Sequence, residues 1–185
     1  MSTIKICIVT IFLTIVYIIV SVCISNLFFN SNANGSLIYE GKDCIGSKLI
    51  GQLFTQNYYF HGRPSLHNYQ SDISGNSNSA YYSKELKKET LKREILFKEI
   101  NLGEFPTIHI ITESASGLDP DITEESALRQ AERISRTTNT DKNDIIKIIR
   151  ETSKPRILNL FGEEIVNVFE LNLRIRKLYA QKNRT

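Results

Sequence analysis

The sequence has no tryptophan, one methionine, four prolines and three cysteines in 185 residues. Cys7 and Cys23 lie in an apolar N-terminal segment, which leaves Cys44 as the one thiol in the rest of the chain. A disulfide within that part is therefore excluded, and the cysteine content says nothing about the cellular compartment. The mixed composition with few prolines is typical of a folded domain and not of a linker or a disordered tail.

Charged residues are missing from a long N-terminal stretch, since no Asp, Glu, Lys or Arg occurs between Lys5 and Glu40. Within it, the 19 positions of Ile6–Ile24 are apolar except for two threonines and one serine. A helix of that length spans about 28 Å, close to the hydrocarbon thickness of a bilayer. We therefore predict a transmembrane anchor helix over residues 6–27, preceded by a short cytoplasmic end over residues 1–5.

A cleaved secretory signal peptide is the alternative interpretation of this segment, because residues 1–5 form a short basic region. The apolar stretch is longer than the about 7 to 15 residues of a signal-peptide core. No small-x-small cleavage site follows it, so we expect a retained single-pass anchor. The positive-inside rule favours a cytoplasmic N-terminus and an extracytoplasmic domain, and Lys5 with the α-amino group alone carries that preference.

A strong excess of one charge is also missing from the sequence. Without Lys5 the chain has 22 basic and 20 acidic residues, so it presents no electrostatic footprint for a polyanion. Nucleic acid is therefore not expected as a partner. Residues 28–185 have the size of one ordinary domain, and we predict a single domain there.

Local patterns in residues 28–185 predict a small α+β (or α/β) extracytoplasmic domain. A hairpin is predicted to run from Leu37–Tyr39 through the turn Glu40–Asp43 into a return strand. That return strand consists of Cys44–Ile45 and Leu49–Ile50. An irregular loop over Tyr58–Ala80 follows, and a loop of this length is usually functional or covers another part of the molecule.

Helices and further strands are predicted after this loop. Ser83 is expected to cap a surface helix to about Ile100, and Thr123 and Asp141 to begin two more helices. The first of these helices carries a narrow apolar stripe, Leu86, Leu91, Ile95, Leu96 and Ile100. Strands are predicted at Thr107–Thr112, with Ile108, Ile110 and Ile111 buried, and at Val166–Leu173.

Signals for catalysis or metal binding are weak. His61, Ser65 and Asp72 can be imagined as a hydrolase set, but no Gly-x-Ser-x-Gly elbow occurs. The three histidines match no zinc signature. Asp119 and Asp121 precede a helix, and its free N–H groups explain them better than a cation such as Mg²⁺. We expect no catalytic residue and no metal site.

Two anion-binding features are equally weak. Ser114, Ser116 and Gly117 can form a small phosphate nest, yet no Gly-x-x-x-x-Gly-Lys-Ser/Thr motif is present. The basic C-terminus can meet anionic lipid headgroups, although a solvated terminal helix is the commoner explanation. Its basic residues are Arg174, Arg176, Lys177, Lys182 and Arg184.

Several short motifs, taken together and in order, give the chain a specific resemblance. They are Ala33–Ile38, Gly46–Phe54, Tyr59–Ser65, Ser74–Asn78, Ser114–Pro120 with Gln130 and Arg133, Val166–Val168 and Leu171–Leu173. In motif content, order and length the chain resembles the KdpC family, the C subunit of the Kdp potassium-transporting ATPase. It departs from the family pattern at Tyr17-Ile18, at Ala80–Lys84, at His109 and at Asp121. An Asp is frequent in the family where His109 stands, and a His where Asp121 stands.

The resemblance implies a non-catalytic subunit of the bacterial cell (inner) membrane with no cofactor of its own. The implied partners are a K⁺-conducting channel-like subunit of KdpA type, an ATP-hydrolysing P-type subunit of KdpB type and the lipid bilayer. The family is described as a catalytic chaperone that raises the affinity of the hydrolytic subunit for ATP in a transient complex with nucleotide. An outward domain would have to act through subunit conformation, across about 30 Å of hydrocarbon, whereas a cytoplasmic domain could contact ATP directly.

We expect the motif loops to contact the extracellular mouth of the channel-like subunit. The candidate interface residues are His61, Gly62, Arg63, Pro64, Ser65, Ser114, Ser116, Gly117, Leu118, Asp119, Pro120 and Gln130. Two other classes of function stay open. One is a free-standing, membrane-tethered adaptor module, and the other is a tethered hydrolase that uses His61 and Ser65.

Overall fold

The structure is a computed structural model that describes residues 3–158 and 160–182. The chain divides into two compact units, Met1–Ser47 and Lys48–Thr185. Helices are mixed with two small antiparallel sheets. The predicted α+β class, with a small domain behind one N-terminal apolar helix, is therefore confirmed.

The first unit opens with helix α1 (Thr3–Phe28), which has no buried residue. It has 26 residues, and an 18-residue window within it has a mean hydropathy of 2.9, so the helix is long and apolar enough to cross a membrane. The hydroxyls of Thr10 and Thr14 each donate to a carbonyl one turn back at 2.9 Å. These polar groups are thus satisfied inside the helix, as a lipid environment requires. A single turn, α2 (Asn30–Ala33), follows.

A hairpin completes the first unit. Strands β1 (Leu37–Glu40) and β2 (Asp43–Ser47) pair antiparallel around Gly41, whose φ of +66° suits glycine in the turn. The first strand and the turn were predicted correctly. The extension of the return strand to Leu49–Ile50 was wrong, because the chain leaves the ladder after Ser47.

The second unit begins with a long segment, residues 48–83, that contains neither helix nor strand. The irregular loop predicted at Tyr58–Ala80 lies within it. The regular elements that follow are α3 (Lys84–Ile100), α4 (Ile108–Ile111), β3 (Asp121–Thr123), α5 (Glu124–Leu128), α6 (Ala131–Thr138), α7 (Lys142–Thr152), β4 (Ile165–Asn167) and α8 (Val168–Lys182). Strands β3 and β4 pair antiparallel, with Ile122 opposite Val166.

The three predicted helix caps are present. In each, a side-chain oxygen accepts from a backbone N–H in the first turn, which satisfies a donor that the helix leaves free. The distances are 3.1 Å from Leu86 to Ser83, 3.2 Å from Ser126 to Thr123 and 2.7 Å from Asn143 to Asp141. Capping is a local signal, which is why the sequence predicted these three helix starts.

Two predicted strands are largely helical. Residues 108–111 form α4, in which Ile110 and Ile111 are buried but Ile108 is exposed. The predicted strand Val166–Leu173 ends at Asn167, whose side-chain oxygen accepts from the Glu170 N–H at 3.1 Å and so starts α8. A short apolar run does not distinguish strand from helix by itself.

The hydrophobic core is built mainly from the apolar faces of α5 to α8. Its fully buried members include Phe60, Ala127, Ala131, Ile134, Ile145, Ile149, Val166, Leu171 and Ile175. Helix α3 contributes Phe97 to it. Of the apolar stripe predicted on α3, Leu86 and Ile100 are half-buried, whereas Leu91, Ile95 and Leu96 are exposed.

Candidate functional site

Two motif loops that are distant in the sequence meet at one ion pair. The Arg63 Nη1 lies 3.1 Å from the Asp119 Oδ2, and the Arg63 Nη2 donates to the Glu113 carbonyl at 2.9 Å. The Ser114 N–H donates to the Pro64 carbonyl at 3.2 Å. The residues 61–65 and 114–120 therefore form one continuous surface, which we call the motif platform.

Two buried amide side chains hold the first loop of the motif platform. Asn172 on α8 accepts from the Phe60 N–H at 2.7 Å and donates to the Phe60 carbonyl at 2.9 Å. Gln130 does the same for His61, accepting at 2.8 Å and donating at 3.1 Å. Each amide therefore binds both backbone groups of one residue, which is the pairing that a neighbouring strand would otherwise supply.

Arg133 on α6 is buried beneath the same loop. Its Nη1 donates to the carbonyls of Asn57 and Tyr59, the latter at 2.9 Å. The Nη2 donates to the Gln130 side-chain oxygen at 2.9 Å and the Nε to that of Asn101 at 2.8 Å. Burial lowers the pKa of Arg133 to about 10, so the guanidinium stays charged at neutral pH and satisfies four oxygens at once.

Tyr69 closes the loop from the other side. Its hydroxyl donates to the Arg63 carbonyl at 2.5 Å, and its backbone N–H donates to the Ser65 Oγ at 3.0 Å. Burial and the Asp119 charge raise the pKa of Tyr69, which keeps the hydroxyl a donor. A Cβ on Gly62 would lie 2.5 Å from the Tyr69 hydroxyl oxygen, so glycine allows this close approach.

The second loop of the motif platform is tied by its own serines. The Gly117 N–H donates to the Ser114 Oγ at 3.0 Å, and the Leu118 N–H donates to the Ser116 Oγ at 3.1 Å. The Ser116 carbonyl accepts from the Gly75 N–H at 2.8 Å. Two of the backbone donors that the sequence suggested as a phosphate nest, those of Ser114 and Gly117, are thus already bonded within the chain.

The carboxylates of Asp119 and Asp121 fasten loops instead of capping a helix. The Asp119 Oδ1 accepts from the Asp121 N–H at 3.1 Å, and the Asp121 Oδ1 accepts from the Asn167 amide at 3.0 Å. The following helix is capped by Thr123, so the explanation from helix capping was wrong. Among residues 3–158 and 160–182, no group of three His, Cys, Asp or Glu side chains is placed to hold a metal ion.

Two members of the imagined hydrolase set, His61 and Ser65, have other partners. The His61 Nε2 lies 3.3 Å from the Gln56 carbonyl, and the Ser65 Oγ accepts from Tyr69. Burial and the Arg133 charge lower the pKa of His61 to about 4, so the ring is neutral at pH 7. Asp72 is exposed. No hydrogen bond within the described part of the chain joins these three residues, and the geometry supplies no nucleophile with its base.

A cleft of about 340 Å³ and one of about 220 Å³ border the motif platform. The larger is lined by Leu53, Phe54, residues 61–65, Asn68, Tyr69 and Arg93. The smaller lies beside Arg63 and Asp119 and includes His109 and Asp121. The two positions that depart from the family pattern in charge therefore share one cleft, where His109 also lies 3.3 Å from a carboxylate oxygen of Glu163.

The structure thus brings together all candidates from the two loops. Ser114 and Gly117 are buried within the second loop, whereas Ser116 is exposed. Gln130 is fully buried and contacts the motif platform through the His61 backbone. Sequence reasoning missed Asn172 and Tyr69, and the one available signal was a polar residue between Leu171 and Leu173.

Comparisons with known proteins agree with the resemblance seen in the motifs. The profile of the KdpC family, described as "K+-transporting ATPase, c chain", matches residues 1–177. The potassium-transporting ATPase KdpC subunit of Bacillus cereus (strain Q1) is 43% identical over 169 residues, covering 89% of this chain and 87% of that protein. The KdpC subunits of Bacillus mycoides (strain KBAB4) and Bacillus anthracis are each 42% identical with the same coverage. The chain therefore belongs to the KdpC family.

Proposed function

We propose that this chain is an accessory subunit of a bacterial K⁺-transporting P-type ATPase, which it assembles or stabilises without catalysing a reaction itself. Family membership supports the complex. The single observation that carries the contact surface is the Arg63–Asp119 ion pair, which fixes two motif loops into one platform. A subunit that binds only the assembled state favours assembly by mass action. Its partners are a K⁺-conducting channel-like subunit and an ATP-hydrolysing P-type subunit.

The proposed location is the cell membrane, with residues 1–5 in the cytoplasm, residues 6–27 as the anchor and residues 28–185 outside the cell as one domain. The apolar helix and Lys5 on its N-terminal side support this orientation. Cys44 is an exposed thiol beyond the anchor and offers a direct test. A membrane-impermeant maleimide added to intact cells should label this chain, and Cys44→Ser should abolish the labelling of the chain. Labelling of Cys44 only after permeabilisation would place the domain in the cytoplasm.

The motif platform is the proposed contact with the extracellular mouth of the channel-like subunit. Its loops are held by buried groups, so the surface is ordered before the partner arrives and little conformational entropy is lost on binding. Exposed apolar side chains lie nearby, since Leu53 lines the larger cleft and Leu66 follows Ser65 directly. An ordered polar loop with apolar neighbours is typical of a protein interface.

The platform is tested by recovery of the complex. Arg63→Ala combined with Asp119→Ala removes the ion pair, and we expect at least a tenfold loss of channel-like and P-type subunits that co-purify in mild detergent. The matched control is Glu125→Ala with Arg129→Ala, which removes a pair of similar length, 3.0 Å, at the end of α5, together with the 3.7 Å pair of Arg129 with Glu104. Normal co-purification and normal growth at low K⁺ in the first double variant would exclude these loops as the interface.

A second pair of variants separates contact from loop order. Leu66→Glu places a charge beside the platform without touching its hydrogen bonds, and we expect it to weaken co-purification. Ile108→Glu makes the same change at another exposed apolar position and should leave the complex intact. If both variants weaken co-purification equally, the loss reflects an added surface charge in general and not the platform. If neither variant weakens it, Leu66 is not at the interface.

We propose further that any effect on ATP affinity is indirect. The backbone N–H groups of Ser114, Gly117 and Leu118 support this, because they are already bonded within the chain and are not free to bind phosphate. The effect would then be a coupling free energy between subunits. ATP affinity of the complex should fall when this chain is removed, while a photoreactive ATP analogue should label the P-type subunit alone. Labelling of this chain by the analogue would contradict the indirect mechanism.

A further inference from the structure

We propose that the outward face of α3, together with Tyr81 and Tyr82, binds the surface of a bilayer that contains anionic phospholipid. The inference is independent of the proposed function, because it concerns the outward side of α3 and uses no residue of the motif platform. It does not depend on which leaflet the domain faces.

The packed side of α3 is defined by Phe97, the buried residue of this helix. Arg93 lies on the same side, where its Nη2 is 2.5 Å from the Glu113 carboxylate. With 100° of rotation per residue, Leu91 and Ile95 point to the opposite side. They are 49% and 66% exposed, so the part of the apolar stripe that the sequence assigned to packing faces away from the domain.

Lysines surround these two apolar side chains. Lys84, Lys87, Lys88 and Lys92 are all exposed, and none makes an ion pair within the part of the chain that the structure describes. Glu99 lies at the C-terminal end of this face, and Lys98 beside it is already paired with Glu94 at 2.6 Å.

Two exposed tyrosines directly precede the Ser83 cap of α3. Tyr81 and Tyr82 are 90% and 81% exposed, and their ring centroids lie 5.6 Å apart in an edge-to-face arrangement. Tyrosine is enriched at membrane–water interfaces because its ring is apolar and its hydroxyl is polar. Two unpacked aromatic rings next to a lysine-rich helix face are therefore a combination that suits the headgroup region.

The charge and the anchor together favour lipid as the occupant. Unpaired lysines are attracted to anionic headgroups, by about fivefold in binding for each lysine near the surface, while their aliphatic stems lie along apolar surface. The same chain carries α1, which is long and apolar enough to span a membrane. Tethering raises the effective concentration of the bilayer, so a weak surface affinity is sufficient.

The absence of tryptophan from the sequence gives a clean probe. The Tyr81→Trp variant of the full chain, inserted by its anchor into nanodiscs, has one indole, at the proposed contact. We expect a blue-shifted emission and at least twofold stronger quenching by bromine-labelled lipid when phosphatidylglycerol is present than with phosphatidylcholine alone. The difference should disappear at about 1 M salt, where the Debye length falls to about 3 Å.

Charge reversal supplies the matched control. Lys84→Glu, Lys88→Glu and Lys92→Glu together should abolish the lipid-dependent quenching of the Tyr81→Trp indole. The same number of reversals at other exposed basic positions, Lys147→Glu, Arg150→Glu and Lys154→Glu, should leave it unchanged. These are surface positions, and an unchanged circular dichroism spectrum checks that both triple variants are folded.

A second probe compares another exposed apolar surface. The Leu160→Trp variant places the indole near Phe161 in a segment that is also strongly exposed, and we expect no dependence on phosphatidylglycerol there. Three results would overturn the proposal: quenching of the Tyr81→Trp indole that ignores lipid charge, equal effects of the two triple variants, or quenching confined to the Leu160→Trp indole. Hydrogen exchange of the α3 amides is a further check. If these amides are protected only when the other subunits are present, and not by anionic lipid, the face binds an acidic protein surface instead.

Discussion

The segment 48–83 and the helices α5–α8 are both ordered, but by different interactions. The helices bury apolar side chains such as Ile145, Ile149 and Leu171 against one another. The segment has no helix or strand, and much of its order comes from buried polar side chains that donate to or accept from its backbone. Most of those polar side chains belong to the helices, so the segment takes its shape from residues far along the chain.

This difference shows which interactions stabilise a surface that is built from loops. In a sheet, backbone groups are satisfied by a neighbouring strand, whereas here Gln130, Arg133 and Asn172 supply single side chains for that purpose. Each of them is buried, so the loss of one leaves groups that water does not easily reach. The motif platform should therefore be lost by a single substitution in a helix that the partner never touches.

The largest expected effect compares Arg133→Ala with Ile149→Ala. Arg133→Ala removes a buried guanidinium that donates to four oxygens, and Ile149→Ala opens a cavity, so each should lower the free energy of unfolding by about 3–5 kcal/mol. Urea unfolding in detergent measures both. Arg136→Ala, on the exposed side of the same helix as Arg133, should cost less than about 1 kcal/mol.

Hydrogen exchange then separates the two mechanisms. Arg133→Ala should accelerate exchange of the amides of residues 57–61 more than those of α7, because the segment loses direct hydrogen bonds from Arg133 and α7 receives none from it. Ile149→Ala should accelerate exchange across the helices together. If the same amides exchange faster in both variants, the segment and the core unfold as one unit. That result would contradict the distinction between the two regions.

Asn172→Ala is the next largest expected effect. It removes both hydrogen bonds to Phe60 and should lower the free energy of unfolding by about 2–3 kcal/mol, since a buried donor and a buried acceptor lose their partner. Asn143→Ala, at an exposed position of α7, should stay within about 0.5 kcal/mol. The Phe60 amide, normally protected, should exchange faster in Asn172→Ala and not in Asn143→Ala.

Acid should loosen the segment before it affects the apolar core. The pKa of His61 is lowered to about 4 from 6.5 by burial and by Arg133, so the unfolded chain binds a proton that the folded chain does not. The free energy of unfolding should therefore fall as the pH falls from about 6.5 to about 4, by about 1 kcal/mol per pH unit. Above about pH 6.5, His61 is neutral in both states and should add no pH dependence. In the His61→Gln variant the urea midpoint should depend less on pH over that range.

Tyr69→Phe is the smallest expected effect. It removes the donor to the Arg63 carbonyl while keeping the ring in place, which should cost about 0.5–1.5 kcal/mol. The exposed Tyr82→Phe serves as the control and should be neutral. If Tyr69→Phe strongly reduces co-purification of the other subunits while the free energy of unfolding changes little, the position of the Arg63 backbone matters to the partner.

Much of the fold was predictable where the signal is local. Ser83, Thr123 and Asp141 cap the helices that they were predicted to start, because a cap needs only the next few residues. The family resemblance was confirmed for a similar reason, since short loop motifs are read directly from the sequence. The strand predicted at Val166–Leu173 was wrong because its apolar pattern fits both a strand and a helix, and the Asn167 side chain starts the helix.

The candidate site was predictable in its loops but not in its support. Arg63 and Asp119 were named from their motifs, yet their pairing is a contact between residues 56 positions apart. Asn172 and Phe60 are 112 positions apart. Such contacts depend on how the helices pack, and no periodicity within one element encodes them.

The sequence by itself determined the apolar anchor helix, the helix caps, the family and the two loops that carry its motifs. These follow from hydropathy, from hydrogen bonds between near neighbours and from residue order. Only the tertiary structure decided that the two loops share one platform, that buried Gln130, Arg133 and Asn172 hold it, and that α3 turns Leu91 and Ile95 outward among its lysines. The physical reason is that a buried polar group is satisfied by whichever partner folding brings within about 3 Å, and that partner can be anywhere in the chain.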